Sequence, residues 1–249
     1  MLYAILGIIQ GLTEFLPVSS SGHLVLSSHI FNIEKSQILP IIIVCHIGTL
    51  FALLCFFARD ILRVLKDSMV ITQIFIVTLV SAIFVLAGRN FFENLFQRPA
   101  VVCVALLVTA AFLILTKRFV KGKRGMFALN FKDAFWLGIA QGFAVIPGIS
   151  RSGITIFSLL ARGVAPEAAF KFSFIAGIPA IVGSFLLEAR QIGVNFNSHP
   201  ANLWFTLGAS YLFGLFGLFI LKRAVKSLQL YYFGFYLVPA SILGFMFVR

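Results

Sequence analysis

Gln10-Gly-Leu-Thr-Glu-Phe-Leu-Pro-Val-Ser-Ser-Ser-Gly-His23 is a polar string set inside apolar sequence. Its counterpart is Gln141-Gly-Phe-Ala-Val-Ile-Pro-Gly-Ile-Ser-Arg-Ser-Gly-Ile-Thr155. In both, Gln-Gly precedes a proline, then a serine cluster, then a glycine at the same offset (Gly22 and Gly153). The surrounding regions, from Met1 to about Ile33 and from about Ala134 to Gly163, are apolar but broken at these points. Neither reads as a plain spanning helix. Each reads as a re-entrant hairpin of two short helices, which is stable at membrane depth only where protein or a cavity surrounds it.

Composition sets the solvent. Of 249 residues, 60% are hydrophobic and 11% charged, with mean hydropathy +1.04. A soluble domain carries about 25% charged residues to solvate its surface, and 30 Phe are hard to place against water. The lipid bilayer is therefore the expected surrounding. The net charge of +12 would suggest nucleic acid in a soluble protein. Here the basic residues cluster between apolar segments, as topology demands of cytoplasmic loops, so nucleic acid is not an expected partner. Cys45, Cys55 and Cys103 lie inside apolar runs without metal or disulfide spacing and read as packing residues. No basic stretch precedes the first apolar run, so no cleaved signal peptide is expected.

Residues 38–57, 68–88, 99–116, 203–221 and 229–248 are long enough, or nearly so, to span, and 172–187, interrupted by Gly177, Pro179 and Gly183, is a shorter sixth. The expected fold is an all-α polytopic membrane protein, one integral membrane domain over residues 1–249. Its order is hairpin plus three spans, twice, with halves of about 1–120 and 130–249. Three spans is an odd number, so the second half enters from the opposite side and the repeat has inverted topology. Fourteen of the 20 basic residues then share one side: Arg59, Arg63 and Lys66; Lys117, Arg118, Lys121, Lys123, Arg124 and Lys132; Arg162 and Lys171; Lys222, Arg223 and Lys226. Lys35, Arg89, Arg98, Arg190 and Arg249 fall on the other, which places the N-terminus outside. Arg151 belongs to neither surface.

Inverted repeats with broken helices place function near the midplane, where the hairpin tips meet. Glu14, Ser19, Ser20, Ser21 and His23 would there face Ser150, Arg151, Ser152 and Thr155. Glu14 and Arg151 offset each other's burial. A guanidinium and opened helix N-termini suit phosphate, and Gln10 and Glu14 share a helix face. Glu14 could hold a metal, activate water or act as general base; His23 could act as base for a serine or acid for a leaving group. His46 reads as a packing or hydrogen-bonding residue, and His29 and His199 carry little information.

Gln10 to His23 and Pro147 to Thr155 resemble the two signatures of the undecaprenyl-diphosphatase family, the bacitracin-resistance proteins, and the resemblance covers essentially the whole chain. It implies hydrolysis of undecaprenyl diphosphate to the monophosphate, recycling the lipid carrier of peptidoglycan synthesis. It further implies a bacterial plasma membrane location, with the site reached from the outer face. Carried over by position, the catalytic set is Glu14, Ser20, His23 and Arg151. Gln10, Ser19, Ser21, Ser150, Ser152 and Thr155 are expected to bind substrate. A divalent cation, Mg²⁺ or Ca²⁺, is implied at Glu14 with Gln10. Many members carry glutamate where this chain has Gln10, whose carbonyl can ligate a cation but adds no charge. A lipid-phosphate flippase or transporter sharing this midplane site is the alternative, a non-catalytic lipid-phosphate binder a second, and a homodimer is left open.

Overall fold

The computed structural model describes residues 2–24, 35–88, 91–92, 95, 98–119, 121–192 and 200–247. Its α-helices are α1 (Leu2–Phe15), α2 (Lys35–Val64), α3 (Ser68–Ala87), α4 (Pro99–Leu115), α5 (Phe131–Phe143), α6 (Arg151–Ala161), α7 (Pro166–Ile192), α8 (Pro200–Lys226) and α9 (Tyr231–Phe247). A further helical stretch begins at Ser20 and is described as far as Leu24; the rest of the arm expected to reach about Ile33 lies outside the described residues. Local chemistry sets several boundaries. Asp67 caps α3 by accepting from the Val70 N–H at 3.1 Å. Pro99, whose missing N–H costs nothing at this position, opens α4. Asn130 and Asp133 form a reciprocal capping box on α5.

Helical segments Ile41–Val64, Ser68–Ala87, Pro99–Arg118 and Leu203–Lys226 are long and apolar enough to cross a membrane. The protein is an all-helical, multi-pass membrane protein, and its polarity runs accordingly. Trp204 (71% exposed), Phe205, Phe75 and Leu86 stand on the outside, where water would penalise them. Gln10, Gln141, Ser150, Ser152 and Thr155 are buried within.

The helices pair across the two halves of the chain. α1 lies along α8 and α5 lies along α3; α4 packs on α9, and α2 on α7. Small residues make the first two contacts close. A methyl on Gly11 would stand 2.8 Å from the Ser210 carbonyl oxygen of α8, and one on Gly142 2.7 Å from the Phe84 ring of α3. Without water to drive association, such close backbone approach is what holds membrane helices together.

The basic loops converge at one end. Asp133, fully buried, accepts from Arg124 Nη1 at 2.6 Å and Nη2 at 3.0 Å, and from Arg162 Nε at 2.6 Å. Arg124 also donates to the Arg162 carbonyl oxygen, and its backbone bridges Val164. The mid-chain loop is thus fastened to both ends of the α5–α6 hairpin. Lys171 donates to Asp60 at 3.1 Å, joining α7 to α2, and Lys117 stands over the Tyr231 ring. Of the residues assigned to the opposite side, Arg98 alone has a described side chain. Asp133→Ala is expected to lower unfolding stability by about 2–3 kcal/mol. That is below the loss for a fully buried pair, because both guanidinium groups reach solvent. Thermal unfolding in detergent measures it.

Candidate active site

Both polar strings break their helices at a serine cap, with different backbones. α1 stops at Phe15, the chain turns through Leu16–Val18, and helix resumes at Ser20. Ser19 adopts a left-handed backbone (φ 67°), and its Oγ accepts from the Gly22 N–H at 3.3 Å and lies 3.3 Å from Ser21 Oγ. In the second hairpin, Ser150 caps α6: its Oγ accepts from the Gly153 N–H at 3.2 Å and lies 3.2 Å from Ser152 Oγ. Gly148 permits this turn with φ +96°, pressed against the Val102 carbonyl of α4. Thr109 of α4 pins the tip, donating to the Gly148 carbonyl at 2.9 Å and accepting from the Ser150 N–H at 3.0 Å.

The two tips touch. A methyl on Gly22 would lie 3.4 Å from Gly148 Cα, and one on Gly153 3.4 Å from Pro17 Cβ. The helical starts at Ser20 and at Arg151 are therefore neighbours.

Glu14 joins the two starts. Its Oε2 accepts from Gln10 Nε2 at 2.8 Å and from Ser20 Oγ at 2.8 Å; its Oε1 accepts from Arg151 Nη2 at 3.1 Å. The Glu14 side chain is 9% exposed and that of Arg151 18%, so each charge depends on the other. The guanidinium lies 6.0 Å over the Phe174 ring and beside Gly177. Phe15, Phe57, Phe170 and Phe174 form an aromatic cluster around this position. Gln10 and Gln141 each keep a buried carbonyl oxygen that makes no hydrogen bond among the described residues. Gln141 Nε2 donates to Ser81 of α3, and Gln10 Nε2 stands 3.5 Å from His46 Nδ1.

Gln10, Glu14, Ser20 and Arg151 are thus joined directly. Ser19 and Ser21, and Ser150 and Ser152, border them as the two caps. Thr155 faces elsewhere: its Oγ1 donates to the Arg151 carbonyl at 2.6 Å and meets Ser173 of α7. His23 has no hydrogen bond to Ser20 among the described residues. Its Nδ1 meets the Ser19 carbonyl at 2.9 Å and its Nε2 meets Tyr236 Oη at 2.8 Å. Thr109, Gly177 and Tyr236 lie outside both strings. The sequence marks Gly177 as an interruption of an apolar run, and Thr109 and Tyr236 carry no comparable signal.

Gly177 leaves room for the guanidinium, since a methyl there would stand 2.5 Å from Arg151 Nη1. Gly177→Ala is expected to displace Arg151 and lower the kcat/KM of the expected hydrolysis about 10–100-fold, the scale set by misplacing a reacting group by an ångström. Its unfolding temperature should fall less than that of Arg151→Ala, since the displaced guanidinium keeps its charge near Glu14.

This architecture defines a class: a helical membrane protein with a carboxylate, a serine and an arginine held together where two broken-helix tips touch. The family model described as "Bacitracin resistance protein BacA" matches residues 3–243, and the chain belongs to that family. It is 38% identical to an undecaprenyl-diphosphatase of Thermosipho africanus (strain TCF52B), covering 98% of this chain and 99% of the relative. It is also 38% identical to one of Carboxydothermus hydrogenoformans, covering 93% and 91%. A relative of the same name from Methanococcus vannielii is 35% identical, covering 96% of each.

Proposed function

We propose that the protein is an undecaprenyl-diphosphatase, cleaving the anhydride of undecaprenyl diphosphate to give undecaprenyl phosphate and inorganic phosphate. Its relatives carry that name over nearly their whole length. The observation that carries the chemistry is the convergence of Ser20 and Arg151 on Glu14. Arg151, with hydroxyl and N–H groups of the two serine caps, binds phosphate oxygens. Glu14, already bonded to the Ser20 hydroxyl, takes its proton as Ser20 Oγ attacks the terminal phosphorus. The P–O bond to the lipid phosphate breaks, and water then releases phosphate from Ser20. His23 serves as a proton donor and acceptor for phosphate release.

A divalent cation fits beside this pair. Gln10 Oε1 is a buried oxygen without a partner among the described residues, which in isolation costs about 1–3 kcal/mol. With its amide turned over, Gln10 would bring this oxygen beside the Glu14 carboxylate in place of the N–H now bonded there, and the two would offer the hard donors that Mg²⁺ or Ca²⁺ takes. Bound there, the ion would neutralise part of the diphosphate charge.

We further read the chain as one membrane domain of two inverted repeats, with α2, α3, α4, α7, α8 and α9 crossing. The reciprocal pairing of α1 with α8 and α5 with α3 supports this, as do the matching serine caps. The basic cluster around Asp133 and Lys171 faces the cytoplasm on this reading. The protein then lies in the plasma membrane with its site opening outward. Consuming the lipid diphosphate removes the target of bacitracin.

Purified protein with undecaprenyl diphosphate and Mg²⁺ should release one phosphate per lipid. Acid quench with label in the terminal phosphate should leave label on Ser20, and none in Ser20→Ala. Release without any labelled serine would replace the covalent step by direct water attack. Retention of intact lipid, or its transfer across sealed vesicles with both phosphates, would overturn the enzyme.

A further inference from the structure

We propose that Tyr236, on the last helix and outside both polar strings, is the positioning residue of His23. The proposal rests on the reading of His23 as a proton donor and acceptor in phosphate release. The Ser19 carbonyl can only accept, so His23 Nδ1, 2.9 Å away, carries a proton. A neutral imidazole has a single N–H, and Nε2 therefore presents its lone pair to Tyr236 Oη at 2.8 Å, whose O–H donates. The two rings are nearly parallel, 12° apart with centroids 5.8 Å from each other. Together these contacts set both the tautomer and the ring orientation. With the Ser19 contact alone, the ring keeps one anchor and loses the group that selects the face of Nε2.

The division of labour in the site makes this orientation matter. Ser20 gives its hydrogen bond to Glu14, so the serine already has its acceptor. Nε2 is left as the second proton-handling atom, and Tyr236 is its partner among the described residues. The simpler role for a half-exposed tyrosine (49%) on a membrane helix is that of an interfacial anchor, which its neighbours Tyr231 and Tyr232 fit. An anchor needs the ring, whereas a positioning residue needs the hydroxyl. Tyr236→Phe separates them. α9 is also held independently of that hydroxyl, because Ser241 Oγ donates to the Cys103 carbonyl of α4 at 2.8 Å.

The test is a double-mutant cycle on the full chain with undecaprenyl diphosphate and Mg²⁺. Tyr236→Phe should lower kcat about tenfold, at the lower end of what proton-handling groups contribute, with KM nearly constant. Tyr232→Phe should match the parent. In a His23→Ala background, Tyr236→Phe should add nothing further. An unchanged kcat in Tyr236→Phe, or an equal loss with and without His23, overturns the proposal. Parent-like turnover by His23→Ala instead removes the reading of His23 on which it rests, and the proposal with it. A second measurement needs no substitution at Tyr236. Nitrogen NMR of histidine-labelled protein, with His23 identified by its absence in His23→Ala, should show the Nδ1–H tautomer; the Nε2–H tautomer overturns the assignment.

Discussion

Arg151→Ala is expected to cut phosphate release from undecaprenyl diphosphate about 10³-fold, the upper range for losing one preorganised donor to a developing anion. Arg151 opens α6 at the point where both hairpin tips meet. A guanidinium there can grip two phosphate oxygens at once, which a lysine cannot reproduce. Arg151→Lys should therefore recover only a minor part of the rate. Arg151→Ala also leaves Glu14 a buried carboxylate without its counter-charge, a change that destabilises a protein by about 3–5 kcal/mol. Adding Glu14→Gln to Arg151→Ala separates the two consequences. The double variant should regain much of the unfolding temperature and none of the activity. Parent-like release by Arg151→Ala would remove the arginine from the mechanism.

Glu14→Ala is expected to lower kcat by about 10³–10⁴-fold, in the upper range for a lost general base. Three groups, on Gln10, Ser20 and Arg151, lose their common acceptor at once. Glu14→Gln keeps the shape but not the charge, and should be nearly as impaired. Because Glu14 and Ser20 work as one unit, Ser20→Ala in the Glu14→Ala background should cost little more. Independent, multiplying losses would argue that the carboxylate acts elsewhere. These rates are read from phosphate release under saturating lipid.

The frame of the molecule was legible because its signals are local. Pro17 with Ser19-Ser20-Ser21, and Pro147-Gly148 with Ser150, announce two breaks, and both appear as helix–turn–helix tips. The six apolar runs each became a helix, some longer than the run: α2 continues to Val64 and α8 to Lys226, since charged ends extend a helix past the apolar core. The Glu14–Arg151 pair followed from the cost of burying either alone. What depended on rotation about a helix axis was hidden. Thr155 shares a string with Arg151 but turns towards Ser173. His23 lies three residues after Ser20 yet bonds Tyr236, 213 positions further on. Tyr236 belongs to an aromatic run that fits a lipid-facing helix equally well, and no spacing rule links it to His23. Gly177 showed as a break in an apolar run, while its purpose, space for a guanidinium, exists only in the folded molecule.

The seating of α1 on α8 bears on how the protein is made. The chain emerges from the N-terminus, so Leu2–Phe15, carrying Gln10 and Glu14, reaches the membrane before its support does. Its glycine face has nothing to close on until Pro200–Lys226 has been synthesised. The α5–α6 hairpin is placed differently, because α3 and α4 are already present when it emerges. The second tip can therefore be laid down during synthesis, and the first must settle afterwards. A chain arrested before α8 would hold α1 against α2 alone, without the helix that its glycines face.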